Sequence, residues 1–131
     1  MIPTRIHAIA DYLLPAAIAA LSLSPRRGRV TRRIMQVGPL WHYSYTMLTH
    51  YEGGLAPRIT MRAHLVCDAV GALTFVGAAA LLRDEPMRDR LLLAALGLGE
   101  LAVIAVSDRE GPKDRHDVGL TRSEGRSRPL K

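Results

Sequence analysis

Two histidine–aspartate pairs are the residues of this chain whose types and spacing could carry chemistry. His7 stands four positions before Asp11, and His64 stands four positions before Asp68. Residues at that spacing lie on one face of an α-helix, so each pair presents an imidazole beside a carboxylate. Two imidazoles with carboxylates form a ligand set that suits zinc or iron. The four side chains are therefore a candidate metal site if their helices meet.

Two glutamates extend this candidate polar cluster, because each follows an apolar run that returns to the same side of a helical bundle. Glu52 stands in the sequence Tyr-Glu-Gly, and Glu110 stands in Arg-Glu-Gly. The functional interpretation of the six residues is a metal or haem site, or a point where protons enter. The structural interpretation is that the helix dipole favours an aspartate near a helix N-terminus, while the histidine donates to a carboxylate. The sequence leaves both interpretations, and the identity of any metal, open.

A second candidate pair, His42 and Glu100, occupies equivalent places near the middle of two apolar runs. An ionisable residue at the centre of a membrane helix costs about 2.5–3.5 kcal/mol on insertion scales, so each is a functional candidate. One hypothesis is a proton relay between the two side chains. The alternative is packing, in which the Glu100 carboxyl group hydrogen-bonds to His42, Tyr43 or Tyr45.

Four apolar runs of 16 to 20 residues have to position these side chains. They lie at residues 6–23, 34–49, 63–82 and 91–106. A helix that crosses a bilayer needs about 17–25 residues. A soluble bundle would show a polar face on each helix, and residues 69–82 and 91–106 lack one. The pattern predicts an all-α fold, a four-transmembrane-helix bundle whose partner is the lipid bilayer.

The chain is built from two tandem two-helix repeats. Shifting the sequence by 57 positions places the second histidine–aspartate pair over the first. We assign a four-helix membrane domain to residues 1–111, with repeat one at 2–53 and repeat two at 59–111. A disordered basic tail is predicted at 112–131. Because each repeat has two spans, both have the same orientation, and a pseudo-twofold axis along the membrane normal is expected to relate them.

The net charge of +6 comes almost entirely from arginines, which stand beside the apolar runs. That placement favours lipid headgroups as the partner and excludes nucleic acid, for which the sequence has no motif. We expect the arginine-rich loops at residues 24–33 and 83–90 to face the cytoplasm. Small residues such as Gly71 and Gly77 would let helices approach closely, including those of two copies in a homo-oligomer.

Signatures of soluble enzymes are missing from the sequence. It has no phosphate-binding glycine loop, no nucleophile elbow and no zinc-protease helix motif. Its single cysteine, Cys67, cannot form an intrachain disulfide. We therefore predict that the chain is not an enzyme, and no motif assigns it a cofactor.

Three motifs place the chain beside a known family. They are Met-Ile-Pro-Thr-Arg-Ile-His-x-x-x-Asp at 1–11, Thr-x-Tyr-Glu-Gly at 49–53 and Met-Arg-x-His-x-x-x-Asp at 61–68. Together they resemble the SPW-repeat family of small bacterial integral membrane proteins, over about residues 2–111. The resemblance implies two copies of a two-helix unit, a multi-pass location in the bacterial cytoplasmic membrane, and no known reaction. The family carries Ser-Pro-Trp at the end of its first helix, and here Ser24 and Pro25 are followed by Arg26.

Two hypotheses for function follow from these features. The first is a small integral membrane protein that acts as a structural or interaction module. The alternative is a metal- or haem-binding protein, or a proton-linked transport protein, that uses the duplicated His-x-x-x-Asp motif together with His42 and Glu100. The hypotheses differ in whether the polar cluster binds a ligand or only holds the helices together.

Overall fold

Four α-helices form the fold in a computed structural model that describes residues 1–110. They are α1 (Thr4–Ser22), α2 (Arg29–Thr46), α3 (Met61–Leu81) and α4 (Met87–Val106). No β-strand occurs within these described residues, so the predicted all-α class with four helices is confirmed. The predicted disordered tail at 112–131 lies outside the described residues.

All four helices begin before the predicted apolar runs, and two of them begin four or five residues earlier. Helix α2 starts directly after Gly28, and α4 starts directly after Pro86. The predicted loops at 24–33 and 83–90 are therefore shorter in the structure, and several of their arginines belong to first helical turns. Arginine is a good helix former, so the first turn of a helix can form without apolar side chains.

A carboxylate from repeat two caps the first turn of α2. Glu85 accepts hydrogen bonds from the backbone N–H groups of Val30 and Thr31, both at 3.2 Å, and from the Thr31 hydroxyl at 2.7 Å. The bond from the Thr31 hydroxyl lowers the pKa of Glu85 below its ordinary value. A Cβ atom on Gly28 would overlap this carboxylate, so a larger residue there would displace Glu85 from its contacts with α2. The negative charge of Glu85 thus interacts favourably with the positive end of the α2 dipole, at a turn that is rich in arginine.

A second carboxylate fixes the same loop. Asp89, in the first turn of α4, accepts from the backbone N–H of Gly28 at 2.7 Å and forms an ion pair with Arg27 at 2.8 Å. Asp89 is fully buried. Both contacts join repeat two to repeat one at the end of the bundle that carries the arginine-rich loops.

The helices pair as two hairpins. Helix α1 packs on α2, α3 packs on α4, and the hairpins meet chiefly through α2 and α3. Gly97 of α4 lies so close to α3 that an added Cβ would stand 2.5 Å from the carbonyl oxygen of Ala72. A buried apolar cluster fills the bundle toward the arginine-rich end, and it consists of Ile18, Met35, Phe75, Ala79 and Leu93. The opposite end holds buried polar side chains beside a second, smaller apolar cluster of Ala8, Tyr51, Met61 and Leu65.

Two isolated bridges close that polar end. Ile2 pairs with Ser107, and Thr49 pairs with Ile59, both in parallel orientation. Each bridge joins the start of one repeat to the end of the other. The two bridges occupy positions that the internal repeat makes equivalent, so the structure has approximate twofold symmetry at this end.

One helix among residues 1–110, α3, is long and apolar enough to cross a membrane. The other three are 18 to 20 residues long but are less uniformly apolar. The predicted set of four membrane spans therefore stays a prediction at this point.

Replacing Glu85 with alanine should lower the free energy of unfolding by about 1 kcal/mol, because the first turn of α2 loses its acceptor. The folded-state pKa of Glu85 lies below the ordinary value of 4.5. The stabilisation is therefore complete above that ordinary value and is lost as the pH falls through the folded-state pKa. Thermal unfolding of the purified protein at pH 7 and pH 3 measures both effects.

The matched control is Asp84→Ala, which removes the exposed neighbouring carboxylate. It should leave the midpoint at pH 7 unchanged. Equal midpoints for the Glu85 and Asp84 variants at pH 7 would show that Glu85 does not cap α2.

Candidate metal centre

The two histidine–aspartate pairs meet in one compact site, named here the His/Asp cluster (His7, Asp11, His64 and Asp68). The Nε2 atoms of His7 and His64 lie 3.3 Å apart. The His7 Nε2 atom lies 3.3 Å from an oxygen of each aspartate. The His64 Nε2 atom lies 3.0 Å from Asp11 and 3.2 Å from Asp68. All four side chains are buried, and they link α1 to α3 across the two repeats.

Hydroxyl groups at the helix ends hold the outer nitrogen of each imidazole. The Nδ1 atom of His7 lies 2.8 Å from Ser107 Oγ, and the Nδ1 atom of His64 lies 2.8 Å from Thr49 Oγ1. Each hydroxyl donates its own proton to a backbone carbonyl one turn earlier, at 2.7 Å in both cases. The hydroxyl oxygens therefore accept, and each Nδ1 carries the proton that is donated to them.

In neutral imidazoles of this tautomer, the inner nitrogens face each other as acceptors. With Nδ1 protonated, a neutral imidazole has a lone pair on Nε2. Two such lone pairs and two carboxylates converge on one buried point, and their donor atoms all lie within 4.8 Å of one another. Groups of this kind repel unless protons or a metal cation lie between them. The cluster is thus a site for positive charge.

Two tyrosines hold the carboxylates in place. The Tyr45 hydroxyl donates to Asp68 Oδ1 at 2.5 Å, and the Tyr51 hydroxyl donates to Asp11 Oδ2 at 2.8 Å. Burial and the neighbouring Asp11 carboxylate raise the pKa of Tyr51 above its ordinary value, so its phenol remains a donor. No motif in the sequence connects either tyrosine with an aspartate. Tyr45 is three positions after His42, so the two side chains lie on the same helix face. This spacing is the sequence feature that could have placed Tyr45 near the site.

The second candidate pair lies against the cluster. The His42 Nδ1 atom is 3.7 Å from Glu100 Oε1, and its Nε2 atom is 3.4 Å from Asp11 Oδ1. The Tyr45 hydroxyl is 3.1 Å from His42 Nδ1. The structure therefore brings His42 and Glu100 together, as the sequence suggested, and joins them to the two aspartates.

Glu52 and Glu110 lie outside the cluster. The Glu52 side chain is exposed and accepts from the Thr4 hydroxyl at 3.2 Å. Glu110 forms an exposed ion pair with Arg62 at 3.1 Å. The chain turns after each helix, and in repeat one this turn points Tyr51 rather than Glu52 inward. The predicted cluster of six residues is thus a cluster of four.

Two cavities reach the buried polar groups. One, of about 480 Å³, is an apolar groove between α2 and α3 that ends at His42 and Glu100. The other, of about 250 Å³, lies between α1 and α4. The His/Asp cluster, His42 and Glu100 make six residues, and five of them line this second cavity, namely His7, Asp11, His42, Asp68 and Glu100. The cluster is therefore buried but has open space beside it.

Comparison with known proteins identifies no relative: no family model, no curated protein and no solved structure matches this chain. The resemblance to the SPW-repeat family stays a prediction from the motifs. Any statement about function therefore has to come from the geometry of the site.

Proposed function

We propose that this chain is a small integral membrane protein that binds a divalent transition-metal ion inside its helical bundle. The ligands are the four residues of the His/Asp cluster, His7, Asp11, His64 and Asp68. The observation that carries the proposal is the convergence of two imidazole Nε2 atoms and two carboxylates on one buried point.

The spacing of the donor atoms matches tetrahedral coordination. The three distances among His7 Nε2, His64 Nε2 and Asp68 Oδ2 lie between 3.2 and 3.3 Å. Asp11 approaches His7 with one oxygen at 3.3 Å and His64 with the other at 3.0 Å. With metal–ligand bonds of about 2.0–2.1 Å, tetrahedral ligand atoms lie roughly 3.3–3.4 Å apart. A metal ion would fit among these atoms with small adjustments of the side chains. Zinc prefers this geometry and accepts both imidazole and carboxylate ligands.

The groups behind the ligands are those that a metal site requires. Metal-binding histidines usually donate their second N–H group to a fixed acceptor, which sets the tautomer and the ring orientation. Ser107 and Thr49 supply those acceptors at 2.8 Å, in equivalent positions of the two repeats. Charge is balanced as well, because a dication neutralises the two aspartates and leaves no net charge in a buried site.

The geometry favours a bare metal ion over haem. In a haem with two histidine ligands, the macrocycle would occupy the space between the two imidazoles. Here both carboxylates come within 3.3 Å of the imidazole nitrogens and fill that space. The same side chains that exclude a macrocycle supply ligands for a small cation.

The distribution of side chains supports a membrane location with four spans. Each helix carries a large apolar residue that is more than half exposed, and these are Leu13, Leu40, Val66 and Leu98. The bundle interior instead holds three histidines and four carboxylates. A water-soluble bundle has the opposite distribution. Only 33% of the apolar window of α3 is buried, which fits a helix that faces lipid better than the core helix of a soluble protein.

A structural module remains the second candidate, and the tyrosine contacts favour it. Tyr45 and Tyr51 already donate to the two aspartates. Protons on the imidazoles would complete a hydrogen-bonded network that joins the hairpins without any metal. Metal analysis separates the two functions.

Membrane insertion predicts that the protein stays in the pellet after a carbonate wash and ultracentrifugation, and that detergent releases it. The reason is the exposed apolar surface of the helices, which lipid or detergent has to cover. Recovery of folded, monomeric protein in the carbonate supernatant would contradict a membrane location.

Metal binding predicts that tag-free protein, stripped with a chelator and purified in detergent, rebinds Zn²⁺ with a defined stoichiometry. His64→Ala should abolish tight binding at the cluster because it removes a ligand. Thr49→Val should keep the ligand but weaken the affinity about 10–100-fold, because the His64 Nδ1–H group loses its acceptor. Competition with a coloured chelator measures the affinity.

Two matched controls distinguish these effects from general damage to the fold. His50→Ala removes a histidine outside the cluster, and Thr74→Val removes an exposed hydroxyl that bonds only to the Val70 carbonyl of its own helix. Both variants should bind Zn²⁺ like the original protein. Failure of the original protein to bind more Zn²⁺ than His64→Ala would favour the structural module.

A further inference from the structure

We infer that His42 and Glu100 hold a second divalent cation next to the first, with the Asp68 carboxylate bridging the two ions. This inference rests on the proposed function, because Asp68 belongs to both sites. It assigns the second candidate pair a role as metal ligands rather than as a proton relay.

The two oxygens of Asp68 face two different sets of donors. Its Oδ2 atom points to the Nε2 atoms of His7 and His64, at 3.3 and 3.2 Å. Its Oδ1 atom points toward His42, whose Nε2 atom is 4.0 Å away. The Tyr45 hydroxyl donates to the same Oδ1 atom and fixes the orientation of the carboxylate. A bridging carboxylate of this kind holds two metal ions about 3.5–4 Å apart.

Glu100 is the ligand that the first site does not use. Its side chain is 8% exposed, and no hydrogen bond to its carboxylate occurs within residues 1–110. Its neighbour is His42 Nδ1 at 3.7 Å, which is too long for a hydrogen bond. A cation bound by Glu100, by Asp68 and by one nitrogen of His42 would give the Glu100 carboxylate a partner. The donor atoms of His42, Asp68 and Glu100 all lie within 4.8 Å of one another.

The second site has room for a ligand that does not come from the protein. Three protein ligands leave at least one coordination position open, as in catalytic zinc sites. The cavity of about 250 Å³ between α1 and α4 is lined by all three of these residues. A second dication would add more positive charge than Glu100 neutralises. The open position should therefore take a hydroxide or another small anion.

The experiment uses tag-free protein in detergent, stripped of metal and reconstituted with Co²⁺, whose visible spectrum reports its ligands. Elemental analysis should give two equivalents of Co²⁺ for the original protein and one for Glu100→Gln. Azide, a small anion, should change the visible spectrum of the original protein and leave that of Glu100→Gln unchanged. The matched control is Glu110→Gln, at an exposed ion pair outside both sites, which should bind two equivalents.

The outcomes separate the second site from the first. One equivalent in both the original protein and Glu100→Gln, with no response to azide, would overturn the second site and leave the His/Asp cluster intact. Binding of no Co²⁺ by the original protein would overturn both sites together. Thermal unfolding of the stripped variants verifies that the glutamine side chain has not disrupted the bundle.

Discussion

The convergence of two imidazole nitrogens and two carboxylates between α1 and α3 is the interaction on which the rest of the structure depends. The backbones pack as α1 with α2 and α3 with α4, so the side chains of the His/Asp cluster provide a polar link across the two repeats. Any pair of like charges buried there would drive the hairpins apart. Positive charge at this point therefore decides whether the polar end of the bundle holds together.

Several other features follow from that constraint. The hydroxyls of Thr49 and Ser107 have to fix the imidazoles from outside, and each stands where a helix has just ended. The two isolated bridges hold those helix ends against the starts of the other repeat. At the far end of the bundle, Glu85 and Asp89 of repeat two accept hydrogen bonds from repeat one and hold the two repeats together. Both ends thus join the repeats through polar contacts, with an apolar cluster between them.

The internal repeat made part of the site predictable from the sequence. A duplicated His-x-x-x-Asp motif places four ligating groups on two equivalent helices, and twofold symmetry turns those helices toward each other. The pairing of His42 with Glu100 followed from the same equivalence. The four helices followed from the length of the apolar runs, although their first turns did not, because arginine-rich turns carry no apolar signal.

The symmetry-breaking groups were not predictable in the same way. Tyr45 and Tyr51 have no tyrosine counterparts in repeat two, where Val103 and Arg109 occupy the corresponding positions. Nothing in the repeat therefore indicates that these tyrosines reach the aspartates. Glu52 and Glu110 failed as cluster members because the direction of a side chain after a helix end depends on the turn. Whether the ligand atoms can bind one ion also depends on the distances between helices. Those distances cannot be read from a sequence.

X-ray absorption at the zinc edge, on purified protein loaded with one equivalent of Zn²⁺, tests the central claim most directly. Four nitrogen and oxygen neighbours are expected at about 2.0–2.2 Å, with the scattering pattern of two imidazole rings. Loss of one ring in His64→Ala would assign that pattern to the cluster. A shell of six oxygens without imidazole, or a sulfur neighbour from Cys67, would contradict the account.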